Sequence, residues 1–434
     1  MGLPAAALHD RHASGYERHR PELTVLYRVV EQHWPAFQER AAESGGLPRF
    51  VVREVDEYLR CGRLEYGCVR VACTQCGFER LVAFSCKRRA FCPSCLGRRM
   101  SDTALHLVER VLPEVRIRQW VCSLPFRLRV LCGYDRTLCA AVLGAFVGEL
   151  MRSMRRRAKD HLGLARLDDA RTGAVTFVQR FDSGLRLNVH FHTLLLDGVY
   201  VRQRDGGPLV FHELPAPSKD DVAVVARRTA ERVTEILARA GRCLDPELDA
   251  GPSPLEDQPA LACIAGSAAT GVDLLGPRAG QRTLRVVDPA AGRPLEPVAE
   301  IMGFNVHADV AVDGRDRERV ERLCRYLGRP PIAQERLSLR ADGRVQYVMK
   351  KPWRDGTRAL VFEPLDLIAR LCAMVPPPGF HMIRFHGVLA GHAADRAEVV
   401  PVPSEATSVT AIAAAPQLAL FPDLNQRSRL SIAE

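Results

Sequence analysis

The sequence predicts an α+β protein: a small helical, cysteine-rich module followed by a larger domain built on a central antiparallel sheet flanked by helices. Three observations carry this reading. Apolar residues recur at helical spacing over 21–43 and 136–159, two neighbouring runs at 174–181 and 184–198 alternate with a period of two, and 7 of the 14 cysteines fall between Cys61 and Cys95. A period near 3.6 marks a helix with one buried face, and a period of two marks a strand with one buried face.

Residues 1–20 read as a polar, disordered lead. Leu23, Leu26, Val29, Val30, Trp34 and Phe37 then share one helical face, and 50–59 adds a second short helix, so 21–112 forms one unit with the cysteines. A helix at 100–111 leaves the cysteine cluster, and 115–124 alternates in its first half as the opening strand of a second unit, 113–202. That unit continues with a long helix at 136–159 and with two strands joined by the turn Asp182-Ser183-Gly184. Asp, Ser and Gly are turn formers, so the pair reads as a hairpin. Residues 203–300 carry Pro, Gly and acidic loops around one helix at 220–240 and read as an insertion. Regular structure resumes in 301–392, with a strand at 303–312 and a helix at 316–327 that Gly328 and Pro330 stop. Strands at 343–350 and 358–362, a helix at 364–374 and a strand near 380–388 complete it, and 393–434 reads as a disordered tail.

The formal net charge of +10, from 61 Lys and Arg against 51 Asp and Glu, predicts attraction to a polyanion. No apolar run in the sequence approaches the ~20 residues of a membrane span, and the first residues lack the pattern of a signal segment. The expected compartment is therefore the cytoplasm, with no membrane partner.

Two Cys-x-x-Cys turns, Cys73/Cys76 and Cys92/Cys95, are spaced as in tetrahedral zinc sites built from four cysteines. The expected ligands of a structural zinc are Cys73, Cys76, Cys92 and Cys95, with Cys61, Cys68 and Cys86 in reserve, one of which could replace a member of the quartet. Lys87, Arg88, Arg89, Arg98 and Arg99 crowd the second knuckle, and Arg155, Arg156 and Arg157 end the long helix. Both clusters suit contacts to nucleic-acid phosphates, or else are solvated basic surface.

His190 and His192 stand two residues apart in the second hairpin strand, so both imidazoles share one face at about 7 Å between Cα atoms. If the turn sets Phe181 opposite Arg186, Gln179 falls opposite Asn188 on that same face. Two imidazoles and an amide oxygen suit a hard to borderline divalent ion, Mg²⁺ or Mn²⁺, acting as a Lewis acid on phosphate. The bland alternative is a polar strand face turned to solvent.

Four strings occur here in fixed order: Phe84-Ser-Cys-Lys-Arg-Arg-Ala-Phe-Cys-Pro-Ser-Cys95, Gln119-Trp-Val-Cys-Ser-Leu-Pro-Phe-Arg-Leu-Arg129, Leu187-Asn-Val-His-Phe-His-Thr-Leu-Leu-Leu-Asp-Gly198 and Arg325-Tyr-Leu-Gly-Arg-Pro-Pro-Ile332. In this the chain resembles transposases of the bacterial insertion sequence 91 family and their common-region relatives, from about residue 20 to residue 390. The resemblance implies an N-terminal zinc-binding module and a nuclease domain of the HUH type, named for His, a hydrophobic residue, His. It implies a metal-dependent single-stranded DNA endonuclease and strand transferase in rolling-circle-like transposition, with His190 and His192 as metal ligands and Tyr326 as nucleophile. The implied partners are single-stranded DNA at transposon ends and host replication proteins that extend the freed 3′-hydroxyl. Two-tyrosine members carry a second tyrosine four residues away on the same helical face, whereas Arg322 and Pro330 stand at those positions here. This chain therefore resembles a single-tyrosine variant. Two competing readings remain: a zinc hydrolase that draws further ligands from His307, His381 or His386, and a DNA-binding zinc protein without catalysis.

Overall fold

The computed structural model describes residues 20–402, apart from 204–205, 246, 250, 289 and 291–299. The expected lead and most of the expected tail lie outside these residues.

The first unit begins with α1 (Val25–Ala42), where Thr24 accepts a hydrogen bond from the Tyr27 amide and so satisfies one of the free donors at the helix start. Its buried face, Leu26, Val30, Trp34 and Phe37, packs toward α2 (Arg49–Arg60), and Trp34 donates from Nε1 to Asp56 at 2.8 Å. A hairpin of β1 (Cys68–Ala72) and β2 (Glu79–Ala83) follows, then α3 (Pro93–Arg110).

The second unit runs through β3 (Ile117–Ser123), α4 (Phe126–Tyr134), α5 (Arg136–Leu162), β4 (Gly173–Phe181), β5 (Leu187–Leu196), β6 (Gly198–Arg202), β7 (Leu209–Glu213), α6 (Lys219–Arg239), α7 (Pro259–Thr270) and β8 (Leu284–Val287). It ends with β9 (Glu300–Ile301), β10 (Phe304–Val312), α8 (Arg317–Leu327), β11 (Leu337–Leu339), β12 (Val345–Val348), β13 (Thr357–Phe362), α9 (Pro364–Met374), β14 (Ile383–Gly387) and α10 (Arg396–Val399). Its heart is a six-stranded antiparallel sheet in the order β14-β4-β5-β3-β10-β9. A four-stranded sheet, β11-β12-β13-β8, stands apart from it.

The central sheet separates two cores because its strands alternate. On one face, Val189 and Phe191 of β5 and Trp120 and Cys122 of β3 pack against α4, α5 and α6, with Phe146 of α5 stacked on Phe191 at 6.4 Å between ring centroids. On the other face, Phe177, Leu194 and Ile117 pack against Leu107 of α3 and Val320 and Leu327 of α8. Helix α5 is long and apolar enough to cross a membrane by composition, which the sequence reading did not register. Here its apolar stripe, Val142, Phe146, Leu150 and Met154, is buried against the sheet.

The 203–300 stretch, expected as an insertion, supplies structure to both sheets. Val225, Ala226, Val233 and Leu237 of α6 join the core beneath the sheet, and β8 pairs with β13. The tail expected from residue 393 is ordered through residue 402: Val399 is buried, and Arg202 binds Asp395 at 2.9 Å and Glu398 at 2.7 Å.

Removing the Phe191 side chain should destabilise the fold by about 3–5 kcal/mol, because it leaves a cavity beside Phe146. Val310→Ala, at a residue 46% exposed on the same sheet, should cost no more than about 0.5 kcal/mol. Denaturant unfolding of the two variants beside the parent checks both values.

Candidate functional site

The histidine face is set by register. The turn is held by Asp182 Oδ1, which accepts from the amides of Gly184 at 2.8 Å and Arg186 at 3.1 Å. Phe181 then faces Leu187 rather than Arg186, and a bulge between Gln179 and Phe181 inserts one extra residue. Gln179 is thereby brought directly opposite His190 instead of Asn188, and Phe177 lies opposite His192. The bulge corrects the expected register and leaves Gln179 beside the histidines.

Both imidazoles are fixed through one nitrogen. His190 Nδ1 donates to its own strand's Asn188 carbonyl at 2.8 Å, and His192 Nδ1 lies 2.8 Å from the side-chain amide of Gln119 on β3. Such second partners orient metal-ligating histidines, and the bond to the Asn188 carbonyl leaves the lone pair of His190 on Nε2. Burial lowers the pKa of His190, and burial followed by the charges of His190, Arg329 and His307 pushes His192 down to about 2. Both rings are therefore neutral at physiological pH, the form that binds cations.

Two side-chain oxygens on the same face lack donors. Gln179 Nε2 donates to the Leu327 carbonyl at 2.7 Å, which fixes the amide and leaves its Oε1 buried and unpartnered. Asn188 Oδ1 is likewise buried without a partner. Unsatisfied buried acceptors are costly, and two of them beside two neutral imidazoles form a donor set that fits a divalent cation. Asn188 was not foreseen as a ligand, although its place two residues before His190 already puts it on this face. His307 of β10 reaches the same face through Val121, which pairs with both His192 and His307.

Tyr326 comes to this face from α8. Asp316 caps the helix by accepting from the Arg319 amide, Val320, Cys324 and Leu327 bury one stripe, and Tyr326 remains 46% exposed. Its ring stands edge-on to that of His192, 6.4 Å between centroids, and the rings of His190 and His192 are 4.9 Å apart. The guanidinium of Arg329 lies 4.3 Å above the Tyr326 ring and 5.9 Å from that of Phe181, and it has no carboxylate partner among the described residues. Arg329 was missed in the sequence, where it is one arginine among many.

The cysteines assemble differently from the expected quartet. Cys61, Cys86, Cys92 and Cys95 bring their sulfurs together within 4.8 Å, all buried. Individual separations are 3.4 Å for Cys86 to Cys95, 3.6 Å for Cys61 to Cys95 and 3.7 Å for Cys61 to Cys92. A tetrahedral zinc with bonds of about 2.3 Å needs sulfurs about 3.8 Å apart, so the cage fits. Sulfur hydrogen bonds lower the Cys61 and Cys95 thiols, chiefly from Cys86 and from Cys61 respectively, and raise Cys86 and Cys92, chiefly from Cys61. Four thiolates in one buried cage need a cation to coexist. Cys73 and Cys76 are instead exposed at the tip of the β1–β2 hairpin, whose five paired rungs carry them about 17 Å from its base.

Of the basic residues expected to meet DNA, some are occupied. Arg88 pairs with Glu57 at 3.4 Å, Arg155 with Asp168 at 3.6 Å, and Arg157 with Asp221 at 3.6 Å. Lys87, Arg89, Arg98, Arg99 and Arg156 are exposed.

Residues 29–124, which contain all four clustered cysteines, match the family described as "Transposase zinc-binding domain". Residues 173–397, which contain the histidines and Tyr326, match the family described as "Putative transposase". The chain is also 26% identical over 357 residues to the transposase for insertion sequence element IS801 of Pseudomonas savastanoi pv. phaseolicola, covering 80% of this chain and 72% of that protein. No solved structure matches the chain. A zinc-binding module joined to this histidine- and tyrosine-bearing domain defines a transposase. The chain belongs to the insertion sequence 91 family.

Cys86→Ser and Cys61→Ser proteins should lose their zinc or bind it far more weakly, while Cys73→Ser and Cys76→Ser should retain one zinc per chain. Metal content of the purified variants decides between this cage and the Cys-x-x-Cys pair at the hairpin tip.

Proposed function

We propose that this transposase is a single-stranded DNA endonuclease and strand transferase of the HUH type, with Tyr326 as its only nucleophile. The observation that carries the reading is the meeting of Tyr326 with His192, two residues far apart in sequence whose rings are 6.4 Å apart. The Tyr326 oxygen attacks a phosphodiester, its proton departs to solvent, and the bond from phosphorus to the 3′ oxygen breaks. The products are a 5′-phosphotyrosine and a 3′-hydroxyl. The linkage to Tyr326 conserves the bond energy, so a later 3′-hydroxyl can displace the tyrosine and rejoin the strand.

His190 and His192 would hold a divalent ion, with Gln179 as third ligand and Asn188 at hand. Mg²⁺ or Mn²⁺ there would polarise the phosphate and stabilise its developing charge. Arg329 offers a second positive charge against the tyrosine ring, where the attacked phosphate must lie. The α8 scaffold fixes the phenol beside the histidines, which lowers the entropic cost of bringing it to the phosphate. Arg322 is engaged with Glu318 at 3.9 Å and position 330 is proline, so no second tyrosine shares this helical face. Clustered cysteine zinc serves the fold alone, since four thiolates leave no position for water. Lys87, Arg89, Arg98, Arg99 and Arg156 supply affinity for the DNA backbone, with Arg88, Arg155 and Arg157 released from their surface ion pairs only on contact.

Wild-type protein with Mn²⁺ and an oligonucleotide carrying a transposon end should give a protein–DNA adduct that survives denaturant. Tyr326→Phe should give none. Tyr347→Phe should leave the adduct intact, because Tyr347 is buried in β12 with its hydroxyl 3.4 Å from the Pro331 carbonyl. An adduct that maps to another residue ends the assignment, and cleavage without any adduct points to a water-using hydrolase.

Replacing His190 and His192 together by Ala should abolish cleavage while oligonucleotide binding persists. Gln179→Ala should raise the Mn²⁺ concentration needed for half-maximal cleavage, by less than the histidine changes do. Because burial lowers the pKa of both imidazoles, that of His192 to about 2, protons compete for them less than for ordinary histidines, and that concentration should shift less between about pH 7.5 and about pH 6 than an ordinary histidine pair would require. A titration of adduct yield against Mn²⁺ at each pH reads this directly.

A further inference from the structure

Beside the tyrosine helix lies a cleft of about 300 Å³, formed where α3 of the zinc-binding module crosses the open edge of β4. Strand β14 pairs with β4 only as far as Phe177, and one further backbone bond joins Val178 to Met382. The remainder of β4, Gln179 to Phe181, therefore borders the cleft instead of another strand. Leu96, Met100, Phe177, Phe181, Pro331 and Met374 give it an apolar lining, while Arg89, Arg99 and Arg329 add positive charge. None of these three guanidinium groups has a carboxylate partner among the described residues. Arg89 donates to the Phe380 carbonyl at 3.0 Å and Arg99 to the Lys87 carbonyl at 3.0 Å. Arg329 spans the gap between the cleft and the nucleophile, touching Phe181 on one side and Tyr326 on the other.

We propose that this cleft receives one unstacked base of the single-stranded substrate, next to the scissile phosphate. The proposal rests on the nuclease reading above and adds to it a base-binding subsite. Its volume is at the lower end for small-molecule sites, about 300–1,000 Å³, so it admits one planar ring system and excludes a duplex. An apolar slot with aromatic side chains suits the π-face of a base, and arginines at its lining suit the phosphates on either side of that base. Chain continuity does the rest. A strand whose phosphate is held between Tyr326 and Arg329 has its neighbouring nucleotide within reach of Phe181. A base inserted there would fix the register of the strand against the tyrosine, so the zinc-binding module would help choose the cleavage position through α3.

The test uses full-length Tyr326→Phe protein, which binds without cutting, and an oligonucleotide carrying the transposon end with a single abasic site moved along it. Fluorescence anisotropy should find one position at which loss of the base weakens binding by about tenfold or more. Thr103, half-buried on α3 and part of the cleft lining, is then changed to Trp to fill the space. The Thr103→Trp protein should bind the intact oligonucleotide as weakly as the parent binds that abasic one, and the abasic site should cost it nothing more. Unchanged zinc content, and parent-like binding by Thr103→Ala, would exclude misfolding. The proposal is overturned if no position is sensitive, or if the sensitive position responds equally in both proteins. Adduct formation by the wild type alongside either of those results would leave the nuclease standing and remove the base subsite alone. Absence of any adduct would remove the nuclease, and the binding scan would still report on the cleft.

Discussion

The alternation of β5 is the constraint on which the rest of the molecule depends. Val189 and Phe191 must face the core formed with α5, and a strand with that requirement turns His190 and His192 to the opposite side without further instruction. A slip of one residue would send both imidazoles into an apolar core and both hydrophobic side chains into the site. Stability and function therefore specify the same register. The stacking of Phe146 on Phe191 holds the histidines in place from behind.

The opposite side of the sheet is covered by two helices from distant parts of the chain. Helix α8 brings the tyrosine. Helix α3 begins inside the cysteine cage, with Cys92 at its cap and Cys95 in its first turn, and its far end is tied to α8 by Arg317, which donates to the Leu112 carbonyl at 3.0 Å. A metal in that cage would fix one end of a lever whose other end rests on the tyrosine helix. The cysteine module thus has a structural bearing on the site although no cysteine in the cage approaches the histidines.

The sequence disclosed what local periodicity controls. The α+β class, the hairpin, the helix ended by Gly328, and the histidine and tyrosine pairing were all readable, because each depends on spacing within a few residues or on motifs in fixed order. The cysteine quartet was not. Two Cys-x-x-Cys turns look equivalent in a string of letters, and only the extension of the β1–β2 hairpin shows that one of them is carried away from Cys61 and Cys86. The place of Gln179 was misjudged by two residues, one from the turn, which sets Phe181 opposite Leu187, and one from the bulge, whose extra residue lies on β5 and which no residue there announces. Arg329 and the cleft beside it depend on three segments meeting, and nothing in any one segment indicates the others.

The site is divided along the chain in a way that matters while the protein is being made. Domains tend to fold from the N-terminus as they leave the ribosome. The cage cysteines and α3 emerge first, the histidine strand next, and α8 with Tyr326 much later, while β14, the edge partner of β4, comes later still. On the proposed mechanism, a nascent or truncated chain would hold the cation-binding half of the site without the residue that attacks DNA.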